Sequence, residues 1–187
     1  MKLINPRFLA LTAIVIAAAT MRLVPHPPNF SPIGAIALFG GACFIDRRMA
    51  FAVPLAAMFL SDMLLGLTRY GTAIFSMMPY VYGSFVLTTG MGLWIRKKQF
   101  VLRTGVATIA SAVLFFVVTN FGVWIQWQLY PKTWDGLVAC YVEAIPFFHS
   151  TLAGNVVYAT ALFGGFAIAE SCFSSLRREP AVEPLHS

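Results

Sequence analysis

Six apolar stretches, at residues 7–24, 32–45, 49–67, 73–95, 102–126 and 148–173, follow one another along the chain, most of them separated by short polar gaps. A helix crossing a hydrocarbon core of ~30 Å needs about 20 residues at ~1.5 Å each. The pattern therefore predicts an all-α, integral membrane six-helix bundle, a single domain over residues 1–178 with a disordered tail at 179–187. The second stretch is short, so it is expected to tilt little, thin the bilayer or cross incompletely. Pro25, Pro27 and Pro28 stop the first stretch, Pro32 suits the first turn of the second, and Pro54 and Pro79 are expected to kink the third and fourth. The gap at 127–147 differs from the others. It carries Tyr130, Pro131, Trp134, Asp135, Cys140, Tyr141, Glu143 and Pro146, and its apolar part, 137–145, is too short to cross. An interfacial or re-entrant helix is expected there.

The positions of the charges orient the bundle. Lys2, Arg7, Arg47, Arg48, Arg96, Lys97, Lys98, Arg103, Arg177 and Arg178 fall in alternate gaps or flanks, leaving only Arg22, Arg69 and Lys132 for the rest. Such a bias places the arginine-dense turns and both termini in the cytoplasm of a bacterial inner membrane. Composition agrees: 59% of residues are hydrophobic, 11% are charged and mean hydropathy is +0.78, against about 25% charged in soluble domains. The net charge of +6 flanks apolar spans without forming a stripe, so membrane lipid and not nucleic acid is the expected partner. Lys2, Arg7, the apolar run 8–20 and Ala17-Ala18-Ala19 also fit a secretory signal; the run's continuation to Val24 favours a retained helix.

Polar groups inside a membrane are costly unless paired or facing a cavity, which makes them the best pointers to function. With the bundle oriented, they gather at the exterior level. Asp62 shares a helix face with Met58. Ser76, Tyr80 and Ser84 line up on the fourth stretch, Asn120, Trp124 and Trp127 on the fifth, and Thr151, Asn155 and Tyr158 on the sixth. Arg22, His26, Asn29 and Arg69 sit in exterior loops or at span ends. Converging faces of this kind predict an outward-open pocket in which Asp62, Asn120 and Asn155 orient polar groups. Tyr80, Trp124 and Tyr158 would pack rings, and loops bearing Asn29, Arg69 and Trp134 would close over the ligand. The structural alternative stays open: the aromatics suit an interfacial belt, the asparagines suit interhelical hydrogen bonds, and Arg22 or Arg69 suits an ion pair with Asp62. Ala10, Ala13 and Ala17 place small side chains on one face of the first stretch, a pattern that permits close approach of another helix.

Signatures of catalysis are lacking. The chain contains no HExxH, P-loop, GxGxxG or GxSxG, and His26, His149 and His186 lack metal-ligand spacing. Cys43, Cys140 and Cys172 form no CxxC pair or disulfide framework. No enzyme activity, cofactor or metal is expected.

The run Pro28-Asn29-Phe30-Ser31-Pro32-Ile33-Gly34-Ala35-Ile36-Ala37-Leu38-Phe39-Gly40-Gly41-Ala42 resembles the opening signature of an uncharacterised bacterial family of membrane proteins with an inferred transport role. The likeness continues at Leu60-Ser61-Asp62, Thr119-Asn120-Phe121-Gly122-Val123-Trp124, Tyr130-Pro131-Lys132-Thr133 and Ala144-Ile145-Pro146-Phe147-Phe148. That family in turn resembles the S components of energy-coupling-factor transporters, six-helix proteins that capture vitamins from outside the cell. The likeness implies docking of the first helix onto a membrane coupling subunit driven by ATPases. It also implies uptake of a vitamin-like small molecule by a capture subunit or a solitary transporter. Some relatives of those S components are cobalamin-specific and use a cysteine as cobalt ligand, which makes cobalamin the alternative substrate and Cys140 the cysteine on the expected side. A structural membrane subunit and a membrane enzyme acting through Asp62, His149 or Cys140 are the rivals from other classes.

Overall fold

A computed structural model describes residues 5–71, 73–96 and 100–177; the expected tail at 179–187 lies outside them. The regular structure among the described residues is all helical, in the order α1 (Pro6–Thr20, ending in a 3-10 turn Met21–Leu23), α2 (Ile33–Cys43), α3 (Arg47–Leu65, running into a π turn Gly66–Tyr70), α4 (Ala73–Ile95), α5 (Phe100–Gln126), α6 (Trp134–Ala159, followed by a π turn Thr160–Gly164) and α7 (Gly165–Cys172). Among these residues, four helical segments, Pro6–Leu23, Arg47–Arg69, Phe100–Gln126 and Trp134–Cys172, are long and apolar enough to cross a membrane. Helix α4 is also long, but Ser84, Thr88 and Thr89 lower its hydropathy, and all three are buried. Outward positions such as Leu9, Ile16, Leu60, Leu64, Leu87, Ile109 and Ile168 are large and apolar, as a lipid-facing surface requires. The fold is that of a helical membrane protein.

Helix α2 is the centre of the bundle. Ala35, Ile36, Ala37, Leu38 and Phe39 are wholly excluded from solvent, and the Phe39 ring packs edge-on against Phe163 and Phe166 at 5.4 and 5.7 Å between centroids. Lipid tails are as apolar as these side chains, so close packing, and not hydrophobicity, must hold α2 in place. Glycine provides the approach. A Cβ at Gly41 would lie 2.2 Å from the Thr89 carbonyl oxygen, and one at Gly92 would lie 2.5 Å from that of Leu38. Helices α2 and α4 therefore cross backbone to backbone, which a side chain at either position would prevent.

With 11 residues, α2 spans roughly half the ~30 Å hydrocarbon thickness. It is preceded by the irregular segment 24–32, which packs on α6: Phe30 meets the Tyr158 ring at 5.7 Å, and Gly154 fits beneath the backbone of Phe30 and Ser31. Non-helical backbone at such depth is tolerated where protein surrounds it. The short second stretch, read as 32–45, is thus mostly the helix Ile33–Cys43, with the packed irregular segment preceding it. Pro54 and Pro79 lie inside α3 and α4 without ending either helix.

The last stretch corrects the sequence reading. Its helix begins at Trp134 and not at 148, so 137–145 is neither a re-entrant nor a separate interfacial helix. The Thr133 hydroxyl caps the start by accepting the Gly136 N–H at 3.2 Å, Asp135 favours the first turn by its charge, and Pro146 is carried through inside α6. The 39-residue rod Trp134–Cys172 is ~58 Å long at ~1.5 Å per residue, well beyond the thickness of a bilayer.

Candidate functional site

The helices alternate in direction, so the two ends of the bundle collect different residues. One end gathers Arg7 from α1, Cys43 from α2, Arg96 after α4, Phe100 from α5 and Arg177 after α7 around one cavity. The other gathers Arg22, Ile33, Asp62, Met77, Asn120 and Thr151 around another, of about 430 Å³. This second cavity gathers about half of the polar and aromatic residues singled out by the sequence.

Its polar edge is a buried network. Arg22 comes from the 3-10 turn that ends α1 and points inward. Its Nη2 donates to Asp62 Oδ1 at 2.5 Å, and its Nη1 donates to the Ser61 hydroxyl. Tyr82 OH donates to the other Asp62 oxygen at 2.7 Å. The charges of Arg22 and Asp62 cancel, and three elements are tied together at the cavity wall. The arrangement meets the requirement that a buried ion pair have its remaining lone pairs satisfied. Around this edge the walls are apolar: Ile33, Leu65, Met77, Met78, Val81, Phe115, Phe116, Val123 and Phe147, with Trp127 nearby. His26, Asn29, Ser31, Thr119, Asn120 and Thr151 supply scattered hydrogen-bonding groups. The Asn120 Nδ2 donates to Phe116 O at 2.8 Å.

Asn29 stands in a left-handed backbone conformation, φ 62°, inside a turn closed by the Phe30 N–H to Pro27 O bond at 3.1 Å. Asparagine is among the few residues other than glycine that adopt this conformation readily. The turn brings segment 24–32 over the cavity, so Asn29 shapes the rim and lines it too.

Of the residues expected to contact ligand, Asn29, Asp62 and Asn120 border this cavity, joined by Arg22, His26, Trp127 and Thr151 from the wider exterior set; Arg69, Tyr80, Trp124, Asn155 and Tyr158 do not. Arg69 is exposed and donates to Leu23 O at 2.8 Å, tying the α3 end to the α1 end. The Tyr80 ring lies over Gly122 of α5. Trp124 Nε1 donates to Pro131 O at 2.9 Å, and Lys132 sits over its ring, so it organises the loop after α5. Asn155 is buried against Gly34 and donates to Ser111 Oγ at 3.2 Å. Tyr158 packs on Phe30. Ala10 is half-buried, while Ala13 and Ala17 are exposed on the outer side of α1. Cys140 is buried outside the cavity lining, its thiol 3.5 Å from Asn120 O. No group of three or more His, Cys, Asp or Glu side chains placed to hold a metal occurs among the described residues.

The misplacements share a geometric cause. A residue at i has neighbours at both i+3 and i+4, and only packing decides which of them shares its cavity. The fifth-stretch face was read as Asn120, Trp124 and Trp127; the cavity face is Phe116, Asn120, Val123 and Trp127. On α4 the face of Ser76, Tyr80 and Ser84 gives way to Met77, Met78, Val81 and Tyr82. The Ser84 hydroxyl donates to Tyr80 O within its own helix. Met77, Phe115 and Phe147 carry no signal that sets them apart from lipid-facing apolar residues.

Neither the curated proteins nor the solved structures include a match to this chain. A family model does match residues 2–177, nearly the whole chain, and on that ground the protein belongs to DUF6580, a family of unknown function.

Proposed function

We propose that this protein is a membrane-embedded capture subunit or solitary transporter for a vitamin-like small molecule. The ligand enters the 430 Å³ cavity from the periplasm, and the arginine-dense end faces the cytoplasm of a bacterial inner membrane. The observation that carries this reading is the cavity's composition: apolar and aromatic walls, a few separated hydrogen-bonding groups and a charge-neutral ion pair. Sites for small organic ligands have this character and range over about 300–1,000 Å³.

The chemistry favours a neutral or weakly polar ligand of one or two rings. Arg22 and Asp62 satisfy each other, so neither offers an uncompensated charge. The Thr119 and Asn120 side chains and His26 supply directional contacts, while Phe116, Met77 and Met78 pack ring faces. A corrinoid would need far more room, and Cys140 lies away from the lining, so a smaller vitamin is the better supported substrate. The exposed Ala13 and Ala17 leave α1 open to close approach by a membrane coupling partner bound to ATPases.

Purification in mild detergent followed by mass spectrometry of the extracted small molecules tests the reading. Wild-type protein should retain a heterocyclic compound, and Asn120→Ala should weaken its capture by about tenfold, the value of one well-placed hydrogen bond. Protein that neither retains nor takes up any small molecule, alone or with an ATPase module, would overturn it. Cysteine labelling of the turn between α4 and α5 tests sidedness separately: it should react only from the cytoplasm.

A further inference from the structure

At the end opposite the proposed substrate cavity, the bundle encloses a second cavity of about 640 Å³. Arg7, Arg96, Arg177 and Glu170 border it together with Phe100, Phe163, Phe166 and Ala167. Among the described residues that border it, three guanidinium groups meet one carboxylate, a positive formal charge. The contacts of these cations are mostly with neutral groups. Arg96 donates to the carbonyls that end α2, those of Gly41 at 2.7 Å, Ile45 at 3.1 Å and Phe44. Arg177 does the same for α7, to Glu170 O at 3.0 Å and Ser171 O at 2.9 Å. Carbonyls solvate a cation without cancelling its charge.

Arg7 is the decisive residue. Its Nη1 contacts Glu170 Oε1 and Leu176 O. Its guanidinium lies 5.0 Å from the centre of the Phe166 ring, and its side chain is only 5% exposed. The Nε atom is buried and has no hydrogen-bond acceptor among the described residues. An unmet donor on a buried cation is costly. An anion in this cavity would supply the acceptor that Arg7 Nε lacks.

We propose that this cavity binds a phosphate-bearing anion, and that the headgroup of an acidic phospholipid is the source its walls favour. Guanidinium groups match phosphate oxygens in geometry as well as charge, and basic pockets among membrane helices on the cytoplasmic side take acidic headgroups. Phe100, Phe163, Phe166 and Ala167 provide the apolar surface along which acyl chains lie. The Glu170 carboxylate opposes the anion and competes with it for Arg7, so affinity is set by that competition.

Native mass spectrometry of the full chain with added phosphatidylglycerol, phosphatidylcholine or inorganic phosphate tests this, using Glu170→Gln and Arg177→Gln. Phosphatidylglycerol should be retained about tenfold over phosphatidylcholine. Arg177→Gln should lower that retention, and Glu170→Gln should raise it even though it removes an ion pair. A merely structural role for Glu170 would not produce that rise. If Arg177→Gln fails to fold, the direction of the Glu170→Gln effect still decides. Displacement of the lipid by millimolar phosphate, with the same response to Glu170→Gln, assigns the site to free phosphate; undisturbed lipid assigns it to the headgroup. Equal retention of the two lipids without phosphate binding, or a fall in retention with Glu170→Gln, overturns the proposal.

Discussion

The two ends of this bundle use arginine in opposite ways. At the end with the 430 Å³ cavity, Arg22 is locked against Asp62, with Ser61 and Tyr82 completing the network. The result is a rigid wall with no net charge. At the other end, Arg7, Arg96 and Arg177 hold backbone carbonyls and, among the described residues lining the cavity, outnumber the one carboxylate, Glu170. The described lining there carries a positive formal charge. An arginine whose charge is cancelled inside the protein shapes a site for neutral molecules. One that leans on carbonyls keeps its charge available to an anion, or to the electrostatics that orient a membrane protein. Residue type alone does not distinguish these uses; the partner does.

The largest effect should come from breaking the neutral pair. Arg22→Met strands Asp62 with Tyr82 as its remaining partner, and removing one member of a buried pair costs about 3–5 kcal/mol. Replacing both, Arg22→Met with Asp62→Leu, should recover most of that loss. Arg177→Gln at the other end, where the side chain is exposed, should cost less than about 1 kcal/mol. Thermal unfolding in detergent ranks the three. Equal losses for Arg22→Met and Arg177→Gln would erase the distinction between the ends.

The next effect tests what joins them. Gly41→Ala or Gly92→Ala drives a methyl group into backbone at the α2–α4 crossing, with an expected loss of about 1–3 kcal/mol. Gly83→Ala and Gly90→Ala, on the same α4 but with nothing within 4 Å of the added methyl, should be neutral or slightly stabilising. Because α2 reaches from one cavity to the other, Gly92→Ala should weaken ligand retention at both ends, whereas Gly90→Ala should leave both intact.

These contrasts also mark what the chain discloses before folding. Helices were legible because apolar length is a one-dimensional property: the fourth stretch was read as 73–95 and is the helix Ala73–Ile95. The last helix was misread because Pro131, Glu143 and Pro146 suggested an interruption. Proline in a helix removes one donor, and the rod carries Pro146 through without ending. The gathering of polar groups was legible in part, since Asn29, Asp62 and Asn120 border one cavity. Rotation was not. Whether Trp124 or Val123 joins Asn120 depends on where Pro131 and Lys132 draw the indole, and that contact belongs to the fold. The opposite cavity was hidden for the same reason: Arg7 and Glu170 are 163 positions apart.

A smaller effect separates rim shape from ligand contact. Asn29→Ala forces an ordinary residue into the left-handed conformation and should cost about 1 kcal/mol, whereas Asn29→Gly should preserve stability. Capture of the small molecule discriminates the roles. If the amide side chain touches ligand, both variants lose affinity; if only the turn matters, Asn29→Gly retains it and Asn29→Ala does not.

The smallest effect concerns the helical extension beyond the cavity. Tyr130, in the loop before α6, donates to Glu143 Oε2 at 2.7 Å. That hydrogen bond, with lesser help from burial and the carboxylate's charge, pushes the phenol up from 10.0 to about 12. A folded-state value above the unfolded one means the contribution is fully present below pH 10 and is lost as pH rises through 12. The difference in phenolate absorbance between wild type and Tyr130→Phe should therefore show one late-titrating tyrosine. Glu143→Gln should bring it back toward 10.0 while leaving the other tyrosines unmoved. Because Glu143 sits on the part of α6 first read as a separate segment, an unchanged titration in Glu143→Gln would mean that the rod does not hold this loop. Trp124 and Lys132 would then be left to organise the loop after α5.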